Sequence, residues 1–226
     1  MEENQLRYNS FVQNTSIQLQ EILCGPSPSV SRGNEFYFIE KYAKSKILDI
    51  GCGTGHRTFP EWIKRGFDFQ GIEKFQNLID SSKYKNHILS GDIADESFRD
   101  TLDEIQKKNN NSIEIAFLFG GVINGVFGES IFKLWNNLEY LSNFSNYILI
   151  DNLSHFIFYD KNDRGQVIQL FDKAPPQYFY SKKEIIGFIE EKRMEIIDEK
   201  KEIIGKDENS VEIVRNHFLL KKKNIK

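Results

Sequence analysis

Residues 47–55 read Ile47-Leu48-Asp49-Ile50-Gly51-Cys52-Gly53-Thr54-Gly55, and this stretch decides the fold. An apolar run typical of a buried strand leads into a loop that has glycine at every second position. Glycine has no Cβ, so it adopts positive φ readily and lets a ligand lie against the main chain. A helix is expected to begin near Thr58, with Pro60 in its first turn, where a missing N–H costs little. Strand, glycine loop and helix start together predict the ligand-binding edge of a doubly wound α/β sheet.

The spacing of the glycines indicates the class of ligand. A dinucleotide fingerprint has the pattern G-x-G-x-x-G, and here its third glycine is replaced by His56, while glycines stand at 51, 53 and 55. The acid that precedes them, Asp49, suits a cationic ligand better than a pyrophosphate. A tight strand-to-helix turn without a ligand is the alternative interpretation.

The segment resembles the D-x-G-x-G-x-G motif of class I S-adenosylmethionine-dependent methyltransferases, small-molecule type. In that family the loop wraps the methionine part of the cofactor. The resemblance therefore implies cofactor contacts for five residues of this stretch: Asp49, Gly51, Cys52, Gly53 and Gly55. It covers roughly residues 36–220, and its specific motifs lie within 47–124.

Acids at the ends of the next two strands extend the pattern. Glu73 closes the second strand, 18 residues (73 − 55) after Gly55, and an acid about 20 residues on binds ribose hydroxyls in dinucleotide folds. The family uses an acid here in the same way, and Lys74 stands beside it. Asp92 follows the third strand, where the family places an acceptor for the adenine amino group, and Ile93 would pack near the ring. The alternatives are a solvated glutamate and an Asx-turn, for which Asp is common.

The segment after the fourth strand reads Phe119-Gly120-Gly121-Val122-Ile123-Asn124-Gly125. The family brings methyl donor and acceptor together here, which implies cofactor contacts for Phe119 and Gly120. Asn124 would either orient an acceptor or cap the turn at Gly125. The chain lacks the Asn/Asp-Pro-Pro-Tyr/Phe motif of amino-methyltransferases of nucleic acids and proteins, and the similar letters Pro175–Tyr178 are interpreted as a loop.

Four further residues are candidates with structural alternatives. His155 and Tyr159, beyond the fifth strand, are placed to reach the acceptor, and histidine is suited to taking a proton near neutral pH. Either residue would instead pack within the aromatic loop. The family often uses an N-terminal segment as a lid, which would bring Tyr8 and Arg32 to the cofactor carboxylate. The alternative is a packing tyrosine and a surface arginine.

Composition narrows the class of protein. The 226 residues fit one domain, and 30 basic against 33 acidic residues give a net charge of −3 with interspersed signs, which does not favour nucleic acid. Neither Cys24 nor Cys52 belongs to a zinc-spaced cluster, so no metal is expected. The start, Met1–Asn4, has no signal pattern, and the longest apolar run (115–127) is below the roughly 18 residues that span a bilayer. We therefore expect a cytoplasmic protein without a membrane segment; its oligomeric state is open.

The order of the remaining elements predicts alternating strands and helices, with strands at 46–50, 68–73, 88–90, 113–119 and 147–151 and a closing antiparallel pair. The resemblance implies an α/β, doubly wound, mostly parallel seven-stranded sheet whose last strand is antiparallel, with helices on both faces. Residues 1–34 are expected to form a helical extension that acts as a lid, and 35–226 the S-adenosylmethionine-binding methyltransferase domain.

The predicted function is in-line methyl transfer from S-adenosyl-L-methionine to a small-molecule acceptor, leaving S-adenosyl-L-homocysteine. Alternatives are a macromolecular (protein or RNA) methyltransferase and a regulatory module that binds the cofactor without catalysis. A nicotinamide dehydrogenase is disfavoured by His56.

Overall fold

A computed structural model describes residues 2–14, 33–109, 113–118, 122–155, 159–161, 163–169, 176–206 and 210–224. The helices are α1 (Glu2–Asn14), α2 (Gly33–Tyr42), α3 (Phe59–Arg65), α4 (Gln76–Ser81), α5 (Phe98–Asn109), α6 (Ser130–Leu141) and α7 (Lys182–Glu191), with 3-10 turns at Lys85–His87 and Ile123–Gly125. The strands are β1 (Lys46–Ile50), β2 (Asp68–Glu73), β3 (Ile88–Ser90), β4 (Ile113–Leu118), β5 (Ser145–His155), β6 (Gln166–Ile168), β7 (Gln177–Phe179), β8 (Met194–Lys206) and β9 (Glu212–Lys222).

Seven strands form one sheet in the order β3-β2-β1-β4-β5-β9-β8. The first five pair in parallel, and β9 runs antiparallel between β5 and β8. The predicted fold class is confirmed, including the antiparallel last strand. The order reverses direction at β1, so the carboxyl ends of β1 and β4 flank the crevice in which ligands bind in such sheets.

The two faces of the sheet are packed by different helices. Leu48 and Ile50 of β1 belong to one core cluster together with buried side chains of α5, α6 and α7. Ile47 belongs to the opposite cluster, together with Phe38 of α2 and Trp62 of α3. This alternation follows from the two-residue period of a strand, and a central parallel strand is therefore apolar throughout.

The fifth strand is longer than the predicted 147–151. Ile150 pairs with Leu118, the last residue of β4, and residues 151–155 continue alongside β9 up to the pair His155–Ile213. The prediction ended at Asp151 because Asn152 and Ser154 break the apolar pattern. The hydrogen bonds of this extension come from a strand about 60 residues away in sequence, which no local signal reveals.

The prediction of a loop around Pro176 was wrong in part. Gln177–Phe179 forms β7 and pairs antiparallel with β6 in a separate two-stranded sheet. Phe179 is buried against Leu153 of the β5 extension. No helix in the described ranges combines the length and apolarity that crossing a membrane requires.

Candidate functional site

The glycine loop after β1 is the centre of the site. Gly51, Gly53 and Gly55 all have positive φ, between 60° and 72°. A Cβ on Gly51 would lie 2.4 Å from Val122 Cγ2, and one on Gly55 2.4 Å from Phe59 Cδ2, whereas Gly53 has nothing within 4 Å. Two of the glycines are therefore required for packing, and Gly53 faces open space.

Glu73 connects the end of β2 to this loop. The backbone N–H of Gly53 donates to Glu73 Oε2 at 2.8 Å, and that of Phe75 donates to Oε1 at 2.9 Å. The side chain is 4% exposed, and burial raises the pKa of its carboxyl despite these hydrogen bonds. The backbone of Lys74 is a third donor to this carboxyl. A carboxylate has about four lone-pair positions, so acceptor capacity remains beyond the backbone bonds.

The rest of the loop is fixed by side chains around it. Thr58 donates its hydroxyl to the buried Asp49, Thr54 Oγ1 lies 2.7 Å from His56 Nδ1, and Ser82 donates to the Thr54 carbonyl at 2.6 Å. Cys52, within the loop, is half-buried, and burial raises the pKa of its thiol well above the usual value. The loop is thus held in one conformation by contacts outside its open side.

Lys74 and Asp92 meet at the ends of β2 and β3. Lys74 Nζ lies 2.7 Å from Asp92 Oδ2, and Asp92 Oδ1 accepts from the N–H of Ala94 at 2.9 Å. The second contact is the Asx-turn anticipated as an alternative. Ile93 is 4% exposed and belongs to the core cluster next to the site, with its carbonyl accepting from Asn137.

Asn124 is buried completely and joins three elements. Its Oδ1 accepts from Leu153 N at 3.0 Å, while its Nδ2 lies 3.0 Å from Leu153 O, 2.7 Å from Tyr178 O and 3.2 Å from Asn152 Oδ1. The side chain neither caps Gly125 nor points to solvent. It connects the loop after β4 to the β5 extension and to β7.

Helix α1 packs on the same loop. The side chain of Gln5 donates to Gly125 O at 3.1 Å and accepts from Phe127 N at 3.1 Å. Tyr8 lies so close to Gly125 that a Cβ there would be 2.6 Å from its Cζ. Sequence reasoning selected Tyr8 and missed Gln5, because a glutamine on a polar helix carries no motif.

The other predicted residues fall in three groups. Tyr159 is 1% exposed and sits in the core cluster with α7, and burial, together with Glu199 and Asp160, raises the pKa of its hydroxyl. The backbone of His155 pairs with Ile213 at the end of β5, and its side chain lies outside the described part. The same is true of three whole residues, Arg32, Phe119 and Gly120. In the described part of the chain, His, Cys, Asp and Glu side chains form no group of three able to hold a metal ion.

The chain matches no protein-family model and no curated protein, but it is similar in structure to several solved proteins. An S-adenosylmethionine-dependent methyltransferase from Clostridium acetobutylicum has a TM-score of 0.62 at 14% identity, covering 96% of this chain and 99% of that one. One from Methanosarcina mazei has a TM-score of 0.60 at 14% identity, covering 82% and 96%. The glycopeptide N-methyltransferase MtfA, complexed with S-adenosylmethionine, has a TM-score of 0.56 at 10% identity, covering 86% and 87%. The chain therefore has the Rossmann-like fold found in S-adenosylmethionine-dependent methyltransferases.

Proposed function

We propose that this protein is an S-adenosylmethionine-dependent methyltransferase. The observation that carries the proposal is the glycine loop itself, where Gly53 faces open space while its N–H is bonded to the acid at the end of β2. Three positive-φ glycines at alternate positions are needed only where the backbone makes an unusual turn or a close approach. Gly51 and Gly55 are explained by packing against Val122 and Phe59, and Gly53 is left for a ligand.

The residues of this edge fit the cofactor. Asp49 and Glu73 supply buried acceptors, Gly53 supplies a surface that a Cβ would obstruct, and Asp92 with Lys74 ends the site on the β3 side. We assign the ribose hydroxyls to Glu73 and the adenine end to Asp92 and Ile93. Tyr8 would face the methionine end from α1, with Arg32, Phe119 and Gly120 assigned by resemblance alone.

The cofactor, when bound, supplies a sulfonium methyl group that is already strongly electrophilic. The task of the chain is then to orient the donor and the acceptor and to exclude water, and alignment of this kind can contribute about 7–11 kcal/mol. Asn124 would act by fixing the loop after β4 against the β5 extension. His155, at the end of that extension, is our candidate for taking a proton from the acceptor, with Tyr159 as a candidate acceptor contact.

A small molecule is the acceptor that we favour, because the charges are interspersed and the net charge is only −3. The likeness to a glycopeptide N-methyltransferase supports a larger acceptor as the second candidate. A cofactor carrying a labelled methyl group separates the two, since label would enter either the low-mass filtrate or the retained macromolecules of a cell extract.

Calorimetry with S-adenosylhomocysteine and NADH tests the cofactor assignment. We expect S-adenosylhomocysteine to bind and NADH not to bind. Binding of NADH alone would overturn the proposal, and binding of S-adenosylhomocysteine without turnover in any extract would favour a regulatory module.

A further inference from the structure

The β5 extension and β9 share one face that lies above the carboxyl edge of the parallel strands. Side chains two residues apart on a strand share a face, and directly paired residues of antiparallel strands point the same way. Asn152 pairs with Asn216, and Ser154 pairs with Val214. These four side chains therefore form one continuous patch on the face covered by α7.

Asn216 is a polar side chain inside apolar packing. It is 0% exposed, and its neighbours on the same face, Val214 and Phe218, belong to the core cluster. Neither the nitrogen nor the oxygen of its side-chain amide has a hydrogen-bond partner among the described residues. Buried amides are nearly always paired, and an unpaired one is costly, so this position requires an explanation.

Two hydroxyl groups beside it share this property. Ser154 Oγ and the Tyr159 hydroxyl are buried and have no hydrogen-bond partner in the described ranges. Tyr159 belongs to the same core cluster as Val214. Its ring lies 5.1 Å from the Nζ of Lys201, the residue that pairs with Asn216 from β8. The four atoms without a described partner thus belong to Asn216, to Ser154 on the adjacent strand and to Tyr159, whose ring lies near Lys201.

A row of buried asparagines links Asn216 to the proposed active site. Asn124 lies 3.2 Å from Asn152, and Asn152 is the cross-strand partner of Asn216. The hydrogen-bonding capacity of the Asn124 side chain is filled. That of Asn152 is filled only in part, by Asn124 and by the carbonyl of Tyr180, which lies 3.4 Å from Asn152 Nδ2. Strands are about 4.8 Å apart, so Asn216 lies roughly 10 Å across the sheet from β4. That span suits the length of a small organic acceptor.

We propose that Asn216, Ser154 and Tyr159 bind the uncharged polar end of the methyl acceptor, a group with a donor and an acceptor side by side, such as a primary amide or lactam. The inference rests on the proposed function. An asparagine amide offers one donor edge and one acceptor edge, and hydroxyls take either role. Lys201, which pairs with Asn216 from β8, is bound to Asp160 at 3.1 Å, and the other charge that acts on Tyr159 is that of the exposed Glu199. The patch therefore disfavours an anionic group. The rings of Tyr159 and Phe218 suit a flat body behind it.

Entry of such a ligand requires an outward shift of the Tyr159 ring, which is 1% exposed. On its outer side the ring contacts Lys201, whose partner Asp160 is half-exposed. Ion pairs of this kind contribute little to stability, so the main cost of the shift is the loss of apolar packing around the ring, which the flat body of the bound ligand would replace.

Saturation-transfer NMR on the protein saturated with S-adenosylhomocysteine tests the subsite. The probes are benzamide and its matched control N,N-dimethylbenzamide, which keeps the carbonyl and lacks both N–H donors. We expect a signal for benzamide and an affinity about tenfold lower for the control. Equal signals, or none for benzamide at millimolar concentration, would overturn the proposal.

Asn216→Leu separates ligand binding from a structural role. Because the amide has no described partner, an apolar side chain of similar size should leave the melting temperature unchanged or raise it, while benzamide binding is lost and S-adenosylhomocysteine binding is kept. A folded variant with a lower melting temperature would contradict the proposal. If that variant does not fold, Ser154→Ala decides, with an expected severalfold loss for benzamide alone. Failure of the proposed function would appear separately, as absence of S-adenosylhomocysteine binding in the wild type.

Discussion

The side chain of Asn124 exchanges two hydrogen bonds with the backbone of Leu153, 3.0 Å to the carbonyl and 3.0 Å from the N–H. An amide that does this takes the place of a neighbouring strand. β4 ends at Leu118, and beyond it the β5 extension has β9 on one side only among the described strands. Asn124 therefore satisfies backbone groups at the edge of the sheet where the acceptor is proposed to bind.

Replacement of Asn124 should lower the free energy of unfolding, because its hydrogen bonds support the backbone at this edge of the sheet. Asn124→Ala leaves buried backbone groups of Leu153 and Tyr178 unpaired, at about 1–3 kcal/mol for each group. Asn124→Asp keeps the acceptor for Leu153 N and loses the donors. Urea unfolding measures both, with the exposed Asn143→Ala as control, expected within about 0.5 kcal/mol of wild type. If Asn124→Ala is as stable as the control, the hydrogen bonds described above do not support the loop.

Gly53 provides a test of the open side of the loop. Gly53→Ala and Gly66→Ala introduce a Cβ at similar φ, +60° and +73°, with nothing within 4 Å in either case. Both should cost about 1–2 kcal/mol of stability from the left-handed conformation. Only the change at 53 should weaken S-adenosylhomocysteine, and Gly53→Val should abolish its binding in calorimetry. Equal affinities for the Gly53→Ala and Gly66→Ala variants would place the ligand elsewhere.

Glu73 is expected to contribute both to the loop and to the cofactor. Glu73→Ala should lose about 1.5–3 kcal/mol of S-adenosylhomocysteine affinity, the range for hydrogen bonds to a charged group, and Glu73→Gln should lose less, because one acceptor oxygen remains. Asp68→Ala is the matched control, since Asp68 begins the same strand at the opposite edge of the sheet. Calorimetry that finds Glu73→Ala equal to Asp68→Ala would remove Glu73 from the site.

The sequence predicted those parts of the molecule whose signals are local. The run from Ile47 to Gly55 contains its own strand, turn and ligand surface, and the structure confirms the strand and the three left-handed glycines. The β5 extension was missed because its polar residues are stabilised by pairing with β9, far away in sequence. The contact of Gln5 with Gly125 was missed for the same reason, since it spans 120 residues.

The contacts of α1 predict that this helix responds to ligand. Gln5 and Tyr8 hold it on the loop after β4, next to the glycine that Val122 packs against. S-adenosylhomocysteine should slow amide exchange in residues 2–14, and Gln5→Ala should speed exchange there and weaken binding severalfold. Leu6→Ala is the control on the same helix, because Leu6 is 68% exposed. Identical exchange with and without ligand would make α1 a static packing element.

His155 is the last prediction, and it separates proton transfer from positioning. If His155 accepts a proton from the acceptor, His155→Asn should lower kcat by roughly 10²–10⁴, the usual contribution of a positioned base. Cofactor affinity and melting temperature should stay near wild type, because the cofactor is held by the loop after β1 and by Glu73 of β2, which lie two and three strands from β5 in the sheet. His217→Asn is the contrasting variant: that imidazole is fully buried, with Nε2 3.2 Å from Glu202 Oε1, and its loss should reduce stability instead. A His155→Asn enzyme with unchanged kcat across the pH range would leave alignment of donor and acceptor as the source of the rate.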